Sequence, residues 1–104
     1  MRFRQPVRFV RRFTVDPGEA DYIPTGLQIA GGRIAVLFYE PQLDKKLFKI
    51  TDFEGNNLAT YWQEEKEGQV SVGTFACYSQ NPERFTFLYR TEEHALALRI
   101  AEPH

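Results

Sequence analysis

Along most of this chain, residues two apart share chemical character. In residues 7–15, Val7, Phe9, Phe13 and Val15 fall on one side together with Arg11, while Arg8, Val10, Arg12 and Thr14 fall on the other. A strand places positions i and i+2 on the same face, so this stretch predicts a half-buried strand with a basic outer stripe. Asp16-Pro17-Gly18 predicts a turn, with proline presetting φ and glycine accepting positive φ. Residues 22–26 read as a loop, because Pro24 cannot donate a ladder hydrogen bond and Gly26 permits a bend.

The clearest local signal follows. Residues 27–30, then Gly31-Gly32, then residues 33–39 predict a hairpin, since paired glycines suit a two-residue connection. Ile34, Val36 and Phe38 alternate with Ala35, Leu37 and Tyr39, so the second strand is apolar on both faces and is expected to lie centrally. Residues 47–53 predict a further strand, with Phe48, Ile50 and Asp52 opposite Leu47 and Phe53. Turn residues at 54–57 lead into a strand at 58–62, and the acidic segment 63–68 predicts an exposed hairpin loop.

Residues 70–78 alternate again. Gly73 there leaves room for a bulge, a bend or a large facing side chain. A turn at 79–83 precedes Phe85, Phe87 and Tyr89, which alternate with Thr86, Leu88 and Arg90. In the last segment Leu96, Leu98 and Ile100 alternate with Ala95, Ala97 and Arg99, which favours a strand. Thr91, Glu92 and Glu93 leave a short C-terminal helix as its alternative.

The fold class expected is therefore all-β: a small, mostly antiparallel barrel or sandwich of seven or eight strands. The 104 residues suit a single small β domain, with residues 1–6 as a flexible basic arm. Hydrophobic residues make up 42% and charged residues 26%, which fits a globular chain rather than a disordered one. Nine Phe, five Tyr and one Trp supply the bulk of its apolar area.

Charge is unevenly placed. Residues 1–15 hold Arg2, Arg4, Arg8, Arg11 and Arg12 and no acid, giving +5, whereas the remainder carries −6. The only cysteine, Cys77, excludes an internal disulfide and weakly favours a reducing compartment. Neither a signal-peptide core nor an apolar run long enough for a membrane helix is evident, so a cytoplasmic protein without a membrane role is expected.

Candidate chemistry is sparse, and no catalytic residue is assigned. His94 lies beside Glu92 and Glu93 at an expected turn, and His104 ends the chain. Cys77 falls mid-strand and reads as a buried, inert thiol, since a nucleophile needs exposure and a base. Two histidines and one distant cysteine give no zinc spacing, and no cofactor motif is present.

A noncatalytic protein-binding or assembly module is the leading functional expectation, with a protein partner or self-association. Its candidate contacts are Arg8 and Arg12 on the polar face of the first strand, and Trp62 and Tyr61, of which opposite facing directions leave one outside. Arg11, on the apolar face, is expected to form a buried pair with an acid. An alternative is single-stranded nucleic-acid binding through Arg2, Arg4, Arg8 and Arg12 interleaved with Phe3, Phe9 and Phe13. A second alternative is a small-molecule binder with a pocket lined by Trp62, Tyr61 or Tyr89.

Overall fold

Gly31 and Gly32 close the first hairpin with φ of 58° and 76°, the left-handed pair that matches the twist of two flanking strands. The strands they join are β1 (Ile23–Ala30) and β2 (Arg33–Glu40). The chain continues as β3 (Lys45–Thr51), β4 (Asn57–Glu64), β5 (Val70–Ser79), β6 (Arg84–Arg90) and β7 (Leu96–Ala101). The computed structural model describes residues 4–19, 21–43, 45–64, 70–91 and 93–103. Within them there is no helix, and the last segment is a strand.

Two antiparallel meanders result. The first sheet has the order β1-β2-β3-β4 and the second β5-β6-β7. They are not closed into a barrel; they stack face to face, with β5 against β1 and, less extensively, β2.

Register explains which side of each strand meets the core. Gln28, Ala35, Ile50 and Ala59 are paired across the first sheet, and so are Gly26, Leu37, Phe48 and Tyr61. These rows face Ala76, Tyr78, Phe85, Phe87 and Ala101 of the second sheet. Aromatic rings knit the layers together: Phe48 lies 4.7 Å from Phe85 and 6.0 Å from Phe87, and Phe85 lies 5.1 Å from Tyr61 and 5.4 Å from Tyr78, all tilted or edge-on. Each such buried ring contributes about 1.5–3 kcal/mol through area alone.

Several expectations are corrected. Residues 7–15 form no strand. Their alternation concerns side chains only, and a strand also requires a neighbouring backbone, which neither sheet order provides. Val7, Phe9 and Val10 are accordingly 87, 93 and 81% exposed.

Residues 23–26 belong to β1 rather than to a loop, because β1 is an edge strand that tolerates Pro24, and a bulge between Pro24 and Gly26 absorbs the irregularity. β3 starts and ends two residues earlier than its apolar pattern predicts, because Asp52 already belongs to the following turn. Gly73 lies within the register shift between Ser71 and Ala76, as expected for a bulge. Residues 65–69 of the acidic loop, together with Arg2, Phe3, Glu92 and His104, lie outside the described residues.

Candidate functional site

Between the sheets, at the side away from β1 and β5, a cleft of about 340 Å³ opens. Its apolar lining is Phe48, Tyr61, Phe85 and Phe87, and Trp62, Glu102 and Pro103 help to form its rim. It forms because the first sheet has one strand more than the second: β4 extends past the cover that β5-β6-β7 supplies.

Tyr61 and Trp62 separate as the alternation predicts. Tyr61 points inward and is half-buried, while Trp62 is 71% exposed. The third aromatic expected at such a pocket, Tyr89, lies at a register position beside Ser71 and Ala97, and its side chain is outside the described ones.

Next to the cleft, one carboxylate gathers a polar cluster. Glu83 accepts hydrogen bonds from the hydroxyls of Tyr61 (3.0 Å) and Tyr78, and Arg33 Nη1 approaches it at 3.7 Å. The Gln80 carboxamide oxygen accepts from Arg33 Nε at 3.3 Å and Nη1 at 3.2 Å. Burial, then the bond to Glu83, raises the ionisation of both tyrosines above their ordinary range. Neutral phenols held this way are donors rather than bases, so the cluster ties the β5–β6 turn to β2 and β4 and supplies no nucleophile. Gln28 adds another tie between the sheets, its Oε1 accepting from Tyr78 N at 2.7 Å.

The arginine-rich segment sits elsewhere. Arg11 Nη1 donates to Phe53 O at 2.8 Å, and Phe13 lies on Gly55, whose added Cβ would come 2.9 Å from the Phe13 ring. Arg11 is exposed and bonded to a carbonyl, which corrects the expectation of a buried acid pair; with no strand formed, nothing carries its side chain inward. Arg4, Arg8 and Arg12 are exposed, and among the described residues none of them makes an ion pair. Arg8 and Arg12 do not line the cleft that holds Tyr61 and Trp62.

Cys77 is exposed, not buried, because its position alternates with Tyr78 and puts it on the outer face of β5. His94 is exposed in the turn before β7 with φ of 66°. Among the described residues, no three His, Cys, Asp or Glu side chains form a metal-binding group, and no helix is long and apolar enough to cross a membrane.

Sequence reasoning missed the apolar rows on the outward faces of the two sheets. Leu27 (73% exposed) and Ile29 (60%) lie on the outer face of the first sheet, paired with Val36 and Ile34. On the outer face of the second sheet, Leu96, Leu98 and Ile100 are 66, 67 and 70% exposed, with Leu88 paired to Leu98. The signal was present: β2 is apolar on both faces, and in β7 Leu96, Leu98 and Ile100 alternate with Ala97, Arg99 and Ala101. No family model matches the chain, and neither the curated proteins nor the solved structures yield a match.

Proposed function

We propose that the chain is a noncatalytic assembly module that extends its own sheet stacking by packing against further copies. The observation carrying this reading is the pair of apolar stripes on the two outward faces, Leu27 with Ile29 on one side and Leu96, Leu98 and Ile100 on the other. Two-layer sandwiches keep their outer faces polar, whereas radially repeated sheets have another sheet on each face. Here both outward faces carry the kind of residue that a neighbouring sheet covers. The faces differ in sequence, so contact between them is heterologous, running from one copy to the next.

Sedimentation velocity across a concentration series tests this. The wild-type chain is expected to associate, and Leu98→Lys and Ile29→Lys are each expected to weaken association while retaining the β-type circular dichroism spectrum. A wild type that stays monomeric throughout overturns the reading.

A second reading has its own observation. Phe9 stands 93% exposed between Arg8 and the Arg11-Arg12 pair, a cationic and aromatic arrangement suited to single-stranded nucleic acid. It requires retention of a short oligonucleotide at low salt, with binding that weakens on Arg8→Ala and Arg12→Ala.

A further inference from the structure

The edge strands of the two sheets are not alike. β1 carries Pro24, which donates no ladder bond, and a bulge follows it. At β5 the edge is met by Gln28, whose Oε1 accepts from Tyr78 N at 2.7 Å, and the register breaks between Ser71 and Ala76. β7 sets the charged Arg99 in mid-strand. Proline, bulges and charge are the devices that keep sheet edges from pairing with other chains.

β4 is less guarded. Residues 57–63 include no charge, proline or glycine, and the register irregularity sits at Leu58, near the strand's start. In its sheet β4 has β3 as neighbour on one side only. Among the described residues, no backbone hydrogen bond outside the β3 ladder reaches residues 58–62.

The strand also reads as its own partner. Turned antiparallel about Thr60, Ala59 meets Tyr61, small against large, while Leu58 comes beside Trp62 and Thr60 meets itself. Residues directly opposite must share a face, and this register keeps Ala59 and Tyr61 on the core side and Thr60 on the outward one. Aromatic–aliphatic and Thr–Thr pairs across strands are stabilising. Trp62 and Leu58, 71 and 45% exposed within one copy, supply the apolar area that such pairing covers.

We propose that two copies join β4 to β4, antiparallel about a two-fold axis at Thr60, so that their four-stranded sheets run on as one sheet of eight. A two-fold contact uses the same strand from each copy and closes on itself. Edge pairing goes beyond the stacking of outward faces and stands or falls separately from it.

Disulfide trapping in the full chain tests the register. In a Cys77→Ser background, Thr60→Cys sets two thiols opposite each other, within the span a disulfide bridges. Mild oxidation with diamide is expected to link most of this variant into pairs, and to link Leu27→Cys, exposed but away from β4, at least about tenfold more slowly. Sedimentation velocity supplies the second arm. Trp62→Glu, which sets a carboxylate beside Leu58 of the second copy, is expected to weaken pairing at least about tenfold, as for loss of an aromatic anchor. Its unfolding midpoint in dilute solution should hold, because Trp62 is exposed within one copy.

Linking of Thr60→Cys no faster than that of Leu27→Cys overturns the β4 pairing, and so does unchanged association of Trp62→Glu. If Leu98→Lys still weakens association in either case, stacking of the outward faces stands alone. A wild type that is monomeric at every concentration overturns both.

Discussion

Gly31 shows how one residue meets two independent demands. Its φ of 58° closes the β1–β2 hairpin, and a Cβ at that position would stand 2.0 Å from the end of the Gln80 carboxamide. Gly31→Ala is therefore expected to lower stability by roughly 1–3 kcal/mol, read from denaturant midpoints, through backbone strain together with displacement of Gln80. Its neighbour Gly32 has open space around the same position, so Gly32→Ala should cost less.

Glu83 is the second single point of dependence. Removing its carboxylate strands the Tyr61 hydroxyl and leaves Tyr78 with the Gln80 carboxamide alone, and Glu83→Ala is expected to cost about 1–3 kcal/mol. Because both phenols ionise above their ordinary 10.0 in the folded state, their contribution is intact below that pH. It declines as pH rises above it, where the unfolded chain loses protons first. A tyrosinate absorbance titration of Glu83→Ala should move ionisation of the two phenols towards the ordinary value; an unchanged titration would remove Glu83 as a cause.

Among elements, the turn joining β3 to β4 is heavily bonded. Asp52 Oδ1 accepts from Glu54 N (3.0 Å) and Asn56 N (2.8 Å), and Oδ2 accepts from Asn56 Nδ2 (2.8 Å). These bonds, led by that of the Asn56 side chain, lower the Asp52 pKa below 3.8. The stabilisation is thus full above that value and lost as pH falls through the lower folded-state value. Thermal midpoints followed into acid should fall less steeply for Asp52→Asn than for the wild type.

The same turn seats Phe13 on Gly55, where φ is 93°. Gly55→Ala is expected to dislodge Phe13 and to speed tryptic cleavage at Arg11 and Arg12. The hairpin at Gly31-Gly32 and the strands at 84–90 and 96–101 were legible because turn chemistry and period-two alternation agree there. Residues 7–15 were misread for a physical reason: alternation specifies faces, and pairing depends on a partner backbone that local sequence does not contain. The cleft was illegible for the same reason, since it arises from the unequal strand numbers of two sheets.

At the scale of the molecule, burial and shape point the same way. The radius of gyration is 16.0 Å, above the ~13 Å of a compact chain this long, in keeping with an N-terminal segment that joins neither sheet. Among the described residues, nine hydrophobic side chains are buried and fourteen large ones are exposed, the reverse of what a self-sufficient two-layer domain achieves. Five of the exposed ones, Leu27, Ile29, Leu96, Leu98 and Ile100, are aligned by the register on the outward faces.

Cys77 provides a native reporter for one of those faces. It pairs with Thr86, which pairs with Ile100, so the thiol shares the row that ends the Leu96-Leu98-Ile100 stripe. If a second copy covers this face, modification of Cys77 by a thiol reagent should be rapid in dilute solution. It should slow in proportion to the assembled fraction as concentration rises. Leu98→Lys, which keeps the chain apart, should restore rapid modification at high concentration. Labelling independent of concentration, in a sample shown by sedimentation to be assembled, would assign the contact to other surfaces and leave the outer face of the second sheet open to solvent.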